Sequence, residues 1–243
     1  MGLDGTRQDS AAEREAFLAT APLLEGLPKP LLQQLASEMV SKRFERGDQL
    51  FLEGQEAKTF YLARQGWVKI LRQTSGGGSV LFELLGPGDM VGAVAVLDQR
   101  PFPATAVAAT SVEVLLLPGS RFRILVNQYP DLQKTYMREI GDRMRQARDW
   151  QAQIASRVEG RIAQLFLRLA ERMGRREGAK IRFPRVLTRQ EIADMVGTTV
   201  ETAIRVLSGW NKSGLVLSEE EEFVITDLEK LVALAQEHRS LSL

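Results

Sequence analysis

The chain has 243 residues, of which 44% are hydrophobic and 26% are charged, a composition that is ordinary for a soluble protein with one large core or two modest ones. Its formal net charge of +1 excludes a general attraction to nucleic acid, so a basic surface must be local, and 172–185 is the most basic stretch. The absence of cysteine excludes disulfides and cysteine-ligated iron–sulfur clusters.

The N-terminal residues 1–12 are polar and mixed in charge, which predicts a disordered tail rather than a signal peptide. No apolar run approaches the roughly 18 residues of a membrane span. With the lack of cysteine, this predicts a cytoplasmic protein with no membrane partner. Helical segments are expected near 13–19 and 30–39.

A strand-rich region follows from about 40 to 118. Its β-branched and aromatic runs are separated by glycine-containing turns, a pattern that predicts a sandwich or barrel. The triple glycine at 76–78 lacks the lysine and hydroxyl residue of a phosphate-binding loop, so we interpret it as a hairpin tip. The predicted strands are 49–52, 60–63, 68–71, 80–84, 105–107 and 112–117.

A long helix is predicted from 131 to 156, after Pro130. Apolar residues recur there at alternating steps of three and four, the seam of a coiled-coil partner, with one polar member, Gln151. The alternative is a helix packed on its own domain. The seam residues, which we take as candidate dimer contacts, are Met137, Ile140, Met144, Ala147, Gln151 and Ile154, and Val158 continues their spacing.

The stretch 188–212 predicts two short helices joined by a tight turn. Thr188 and Glu191 have capping-box spacing, and Gly197 suits a turn that needs a positive φ. Thr198 or Thr199 caps the second helix, which ends near the glycine of 212–214. The residues predicted to point inward are Ile192, Ala193 and Val196 in the first helix and Ala203, Val206, Leu207 and Trp210 in the second.

The opposite face of the second helix carries Glu201, Ile204, Arg205 and Ser208, which we call the reading face. In a DNA-binding helix-turn-helix the second helix enters the major groove. Arginine can bond guanine, a carboxylate can accept from cytosine, and an apolar side chain can meet the thymine methyl group. The alternative is an ordinary helical hairpin with a solvated face.

Residues 215–226 predict two strands around a charged tip, and 180–183 predict a third. Together they form a small sheet, or wing, beside the two helices. The tip holds four consecutive glutamates, Glu219 to Glu222, which would repel a phosphate backbone unless the wing points away.

The segment LTRQEIADMVGTTVETAIRVL (187–207) resembles the winged helix-turn-helix of the CRP/FNR superfamily of bacterial transcription regulators. RFERGDQLFLEGQEAKTFYLARQGWVKI (43–70) and LLGPGDMVGAVAVL (84–97) resemble its sensor β-roll. The resemblance implies an α+β fold: a cyclic-nucleotide-binding-type β-roll (jelly roll), a long dimerisation helix and a C-terminal winged helix-turn-helix. The expected divisions are a tail 1–12, a sensor domain 13–130, a dimerisation helix 131–156 and a DNA-binding domain 157–243.

The resemblance also implies a homodimer that binds a palindromic double-stranded DNA site, and RNA polymerase as a partner if the protein is an activator. The order Val200-Glu201 is closer to the FNR-like branch, which reads TTGAT-like half-sites, although Ile204 replaces the serine often found there. A hinge near 155–157 would let the recognition helices move. The candidate DNA contacts are Arg189, Thr199, Val200, Glu201, Ile204, Arg205, Ser208 and Lys212.

The effector is less clearly indicated. Relatives that bind cyclic nucleotides hold the ribose with a glutamate and the phosphate with an arginine. Gly92 is kept here, but Ala93 stands at the glutamate position and Pro103 and Ala104 at the arginine–hydroxyl pair, while Arg100 lies a few residues early. These departures argue against cyclic AMP. The candidate pocket residues are Phe82, Gly92, Ala93, Pro103 and Ala104.

Haem, a small organic acid or no effector at all stay open. Residues 100–106 are similar to sensors of the nitric-oxide-responsive branch, which is thought to use haem. The only histidine, His238, lies in the C-terminal tail, so haem would need a methionine or tyrosine ligand.

Two other classes of function are alternatives. A β-roll regulatory protein that does not act on DNA is disfavoured by the winged module. An enzyme is disfavoured because the sequence holds no Ser/His/Asp set, metal-ligand cluster or phosphate-loop motif. The sequence therefore predicts a non-enzymatic, metal-free DNA-binding regulator.

Overall fold

The computed structural model describes residues 9–73, 79–152 and 157–236, without the side chains of 143 and 146–152. The chain divides into two compact units, Met1–Met144 and Arg145–Leu243. His238 and Ile154, and the hinge predicted at 155–157 except for Arg157, lie outside the described residues.

The first unit holds two four-stranded antiparallel sheets with helices at either end. One sheet has the order β1-β8-β3-β6 and the other β2-β7-β4-β5, which is the predicted β-roll. Its strands are β1 Val40–Phe44, β2 Gln49–Phe51, β3 Thr59–Gln65, β4 Val68–Gln73, β5 Ser79–Leu85, β6 Met90–Val91, β7 Thr105–Ala108 and β8 Val112–Pro118. Its helices are α1 Ala11–Leu18, α2 Lys29–Glu38, α3 Ala93–Asp98 and α4 Gly119–Gln128, with a 3-10 turn at Pro22–Leu24 and the start of α5 Pro130–Ala152.

Each predicted strand lies in or within a residue of a strand of this β-roll. The central strands β3 and β8 pair with each other and bury apolar side chains such as Leu62 and Leu115 between the sheets. Gly66 joins β3 to β4 at φ 80°, where a Cβ atom would approach the Ser111 carbonyl oxygen to 2.1 Å. Strands β4 and β5 pair up to Gln73 and Ser79, and 76–78, the predicted hairpin tip, lies outside the described residues.

The predicted disordered tail 1–12 extends too far, because Asp9, Ser10 and the start of α1 have defined contacts. Ser10 and Glu13 form a capping box, so α1 begins at Ala11 rather than at 13. The Asp9 carboxylate forms an ion pair with Arg64 on β3 and accepts a hydrogen bond from the Ser41 hydroxyl on β1. These contacts hold the start of α1 against the sheet. The polar character of residues 1–12 could not predict them, because the partners of Asp9 are distant in sequence.

The first part of α5 packs on its own unit along one face. Leu132 and Tyr136 are buried, and Ile140 is half-buried against the same core. Ile140 therefore contacts the interior of its own unit, and its role as a dimer contact stays a prediction. Met137 and Met144, in contrast, are 60% and 68% exposed. The side chains of Ala147 and Gln151 are outside the described set.

The second unit packs four helices against one antiparallel sheet of order β11-β12-β10-β9. The predicted wing strands are β10, β11 and β12, while β9 was not foreseen because its three residues are all exposed and polar. The helices are α6 Val158–Met173, α7 Arg189–Val196, α8 Val200–Ser213 and α9 Leu228–Gln236, and the strands are β9 Arg175–Glu177, β10 Lys180–Pro184, β11 Val216–Ser218 and β12 Glu222–Ile225.

An aromatic cluster joins the helices of this unit to its sheet. Phe166 on α6 is fully buried, and its ring centroid lies 5.6 Å from Phe183, 4.8 Å from Phe223 and 5.7 Å from Trp210. Edge-to-face arrangements of this kind add to the free energy of area burial. One side chain thus connects α6, the wing and α8.

We expect Phe166→Ala to lower the free energy of unfolding of the second unit by about 3–5 kcal/mol, because it leaves a cavity among three rings. Urea denaturation followed by far-ultraviolet circular dichroism measures the change. Ile204→Ala is the control in the same unit, since Ile204 is 45% exposed and an exposed site should cost roughly 0.5 kcal/mol or less. Equal losses would contradict the assignment of Phe166 as the central contact.

Candidate functional site

The two helices α7 and α8 form the predicted helix-turn-helix, and its first helix begins as the sequence indicates. The Thr188 hydroxyl accepts from the Glu191 backbone N–H at 3.1 Å, and the Glu191 carboxylate accepts from the Thr188 N–H at 2.7 Å. Gly197 ends α7 at φ 65°, a conformation that costs glycine little. The capping box and the glycine turn are confirmed.

Helix α8 is held by its apolar face. Thr199, not Thr198, is the N-cap, and Gly214 ends the helix at φ 73°. Ala203, Leu207 and Trp210 are buried as predicted. Val206 is only half-buried. The Trp210 indole N–H donates to the Glu159 carboxylate at 2.8 Å, which ties α8 to α6.

Burial of that face leaves the reading face in solvent. Glu201, Arg205 and Ser208 are exposed, and Ile204 is 45% exposed. Hydrogen bonds from the Glu201 backbone N–H and from the Thr199 hydroxyl lower the pKa of the Glu201 carboxyl. An ionised carboxylate can only accept hydrogen bonds, which suits it to an amino donor. Among the other candidates, Thr199 and Lys212 are exposed and Val200 is half-buried.

Arg189 differs from the other candidate DNA contacts because it lies under the wing. Its guanidinium sits 5.2 Å from the centroid of the Phe223 ring, and its Nη2 donates to the Ser218 hydroxyl at 3.1 Å. Burial lowers the pKa of Arg189, and the neighbouring positive charge of Arg185 lowers it further. Its Nη1 is buried and has no hydrogen-bond partner within the described residues.

Arg161 on α6 is a positioning residue that the sequence reading missed. Its Nε donates to the Val196 carbonyl at 2.7 Å, and its Nη2 donates to the Gly197 carbonyl at 3.2 Å. These are C-terminal carbonyls of α7, which lack intrahelical partners. Arg161 thereby holds the turn of the helix-turn-helix on α6, but in the sequence it looks like one more charged residue of an amphipathic helix.

Two glutamates of the acidic wing tip, Glu219 and Glu222, are paired with arginines of the same sheet. Arg182 on β10 donates to Glu219 at 2.6 Å and to Glu177 at 2.7 Å, and lies 3.5 Å from Glu222. Arg175 on β9 also pairs with Glu222, at 3.3 Å. The expected repulsion of a phosphate backbone is therefore reduced, because these two carboxylates face arginines within the wing.

The first unit contains a cavity of about 220 Å³ between the β2-β7-β4-β5 sheet, α3 and α5. It is predominantly apolar, with Arg72 and Glu83 as its charged members. All five predicted pocket residues line it: Phe82, Gly92, Ala93, Pro103 and Ala104. The remaining lining residues are Phe51, Ile70, Leu85, Met90, Val94, Ala95, Phe102, Tyr136 and Ile140, and we call this space the effector cavity.

The wall of the effector cavity is built around Gly92. This glycine starts α3 at φ 76°, and a Cβ atom there would meet the Phe102 ring at 2.6 Å. Phe102 stacks on Phe51 with ring centroids 3.7 Å apart. Ala93 and Ala104 are buried in the same wall, whereas Arg100 is exposed and does not line the cavity. The wall thus offers close apolar packing where a phosphate would need a cation.

Arg72 and Tyr136 were not foreseen as lining residues. The alternation of side chains along a strand could have predicted Arg72, because it follows Val68 and Ile70 on one face of β4. Tyr136 has no such signal, because it reaches the cavity only through the packing of α5 on the β-roll. Within the described ranges, no cluster of three or more histidine or acidic residues is placed to hold a metal ion, and no helix is long and apolar enough to cross a membrane.

Comparisons with known proteins match both units. Residues 41–129 match the model of the cyclic nucleotide-binding domain, and residues 160–234 match the Crp-like helix-turn-helix domain. A CRP-like cAMP-activated global transcriptional regulator of Mycobacterium tuberculosis is 29% identical over 91% of this chain and 100% of its own length. The transcriptional activator protein anr of Pseudomonas aeruginosa is 27% identical over 78% of each chain.

Solved structures agree with these matches. A CRP-family transcriptional regulator of Thermus thermophilus is similar with a TM-score of 0.68 at 25% identity, covering 80% of this chain and 96% of its own. FixK2 of Bradyrhizobium japonicum has a TM-score of 0.67 at 21% identity, covering 81% and 96%, which supports the fold.

We expect Thr188→Ala to lower the free energy of unfolding of the second unit by about 1 kcal/mol, because the loss of the cap leaves α7 with an unsatisfied N–H group. Chemical denaturation measures the loss. Thr198→Ala is the control, since its hydroxyl has no hydrogen bond within the described part of the chain. If both variants unfolded at the same urea concentration, the capping box would not stabilise the helix-turn-helix.

Proposed function

The chain belongs to the CRP/FNR superfamily of DNA-binding transcription regulators, and we propose that it binds a palindromic promoter site as a homodimer through the reading face of α8. The observation that carries this proposal is the division of α8 into a buried face and an exposed face. Trp210 and Leu207 fix the helix by burial, and the outward side presents a cation, an anion and an apolar side chain. A two-fold dimer provides two such faces for two half-sites.

The chemistry of the reading face supports recognition of one G·C pair. Arg205 donates to the guanine O6 and N7 atoms, and the ionised Glu201 accepts from the cytosine amino group. Ile204 meets a thymine methyl group next to that pair. The preference for the base beside the G·C pair therefore comes from an apolar contact here, and not from the serine often found in the FNR-like branch. The half-sites lie about 34 Å apart, one turn of the duplex.

Backbone contacts come from the periphery of the helix-turn-helix. Arg189 is half-buried beneath the wing and adds positive charge near the phosphates, and Thr199, Val200 and Ser208 lie at the edge of the groove. Lys212 at the end of α8 meets a phosphate. Such contacts set register and affinity but carry little sequence information.

Dimerisation is assigned to α5. Met137 and Met144 are large apolar side chains exposed on one chain alone, and exposed apolar patches of this kind mark interaction sites. The complementary side of the same helix packs on the β-roll through Tyr136 and Ile140. An activator of this architecture would also contact RNA polymerase, for which no specific surface is assigned.

The effector that we propose is not a cyclic nucleotide. Ala93 and Ala104 put methyl groups where ribose and phosphate need polar partners, and an unpaired buried charge is costly. Cyclic AMP is the second candidate, favoured by the name of the Mycobacterium tuberculosis relative and of the family model. Haem fits less well, because the effector cavity of about 220 Å³ is below the roughly 300–1,000 Å³ of common ligand pockets.

We expect effector-free protein to prefer a duplex of palindromic TTGAT-type half-sites over a scrambled duplex at equal salt.

Arg205→Ala should cost roughly 1–3 kcal/mol of binding free energy on the palindrome and relax the preference at its G·C pair, because it removes a base contact. Lys212→Ala should weaken binding to both duplexes alike and reduce the salt slope by about 1. Fluorescence anisotropy titrations measure both variants, and an equal loss for Arg205→Ala on every duplex would contradict its role as a base reader.

We expect Arg182→Gln to weaken DNA binding more than Arg176→Gln, although each variant removes one positive charge from the same sheet. Arg182 faces Glu177, Glu219 and Glu222, so its loss leaves Glu219 without an ion pair among the described residues and leaves Arg175 alone to pair with Glu177 and Glu222 near the phosphate backbone. The difference between the variants should shrink as salt is raised, because screening shortens the range of the repulsion. Equal losses at low salt would show that the wing carboxylates do not face the DNA.

A further inference from the structure

The effector cavity is shaped for a ligand about the size of one aromatic ring. Its volume of about 220 Å³ exceeds that of an engineered apolar cavity of about 150 Å³ that binds benzene. Phe51 and Phe102 form a stacked aromatic wall, and Tyr136 closes the side formed by α5. Such rings favour a flat apolar ligand through edge and stacking contacts.

Phe82 stands at the mouth of the cavity for a local structural reason. The pairing of β4 with β5 runs from Ile70 and Glu83 directly to Leu71 and Leu81, so Phe82 is the extra residue of a β-bulge. Bulges redirect side chains and are common beside binding sites. The bulge leaves a phenylalanine 73% exposed over an apolar opening, where a bound ligand would cover part of it.

Arg72 gives the cavity one cationic group. It is exposed on β4, and within the described residues no carboxylate pairs with it. Glu83, the other charged lining residue, already has an interaction of its own. One guanidinium fork matches one carboxylate in two parallel hydrogen bonds, whereas the wall formed by Ala93 and Ala104 offers nothing to a second anionic group.

We propose that the effector cavity binds a small apolar monocarboxylate, about one substituted aromatic ring in size, whose carboxylate is held by Arg72. This inference rests on the proposed function of the first unit as a sensor for an effector other than a cyclic nucleotide. The ring lies between Phe102 and the α5 side chains Tyr136 and Ile140. The ligand therefore touches the helix to which dimerisation is assigned.

Benzoate and benzamide test the proposal as a matched pair, because they share size and shape and differ in charge. Isothermal titration calorimetry of the full chain should show saturable 1:1 binding of benzoate with a Kd of about 1 mM or below, a strength within reach of a ligand this small. Benzamide should bind at least about tenfold more weakly, because it lacks the charge-assisted pair with Arg72. Equal binding of the two, or none by benzoate, would overturn the proposal.

Three variants locate the site. Arg72→Gln should weaken benzoate binding about tenfold or more and leave benzamide unchanged, whereas Arg100→Gln, an exposed arginine that does not line the cavity, should change neither. Ala104→Val should weaken both ligands by filling the cavity, with circular dichroism checking its fold. If that variant fails to fold, the comparison of the two arginine variants still decides. An equal loss of benzoate affinity in Arg72→Gln and Arg100→Gln would place the carboxylate elsewhere and overturn the assignment.

Binding to the palindromic duplex is measured on the same samples. Intact benzoate binding with no sequence preference on DNA would count against the proposed reading face and leave the ligand assignment standing. Saturable binding of cyclic AMP that displaces benzoate from the cavity would overturn the ligand class, while the DNA result stayed unaffected.

Discussion

The burial of Trp210 against Phe166 is the constraint on which the DNA-binding unit depends. It fixes the rotation of α8 about its axis, and the side chains on the opposite face therefore point into solvent. Because Phe166 also contacts Phe183 and Phe223, the same cluster sets the position of the wing relative to the helices. Specificity at the exposed face thus has its origin in hydrophobic packing on the hidden one.

The parts of the fold that the sequence predicts well are those governed by local rules. The capping box at Thr188, the positive-φ glycines 197 and 214 and the alternating strands of the β-roll each depend on neighbours a few residues apart. The five candidate pocket residues all line the effector cavity, but they were chosen from the family resemblance and not from local sequence rules. The sequence alone shows that these residues are apolar, whereas a cyclic-nucleotide site has polar and charged residues at the same positions.

The parts that the sequence did not predict arise from contacts between distant segments. Arg182 meets Glu219 across the sheet, 37 positions along the chain, so a list of charges cannot show that part of the acidic tip is compensated. Arg189 reads as a solvent-facing cation at a helix start, yet Phe223 and Ser218 hold it under the wing. Asp9 was assigned to a loose tail because its partner Arg64 is far away in sequence. In each case a pairing of side chains overrides local polarity.

Tyr136 and Met137 are consecutive residues of α5, yet one lines the effector cavity and the other is exposed on the outer side. A helix with its side chains is only about 10 Å across. If the outer side meets a second chain as proposed, the detection of a small molecule and the pairing of two subunits are separated by the thickness of one helix. No long relay through the protein is then needed, because a slight roll of α5 about its own axis changes both surfaces at once.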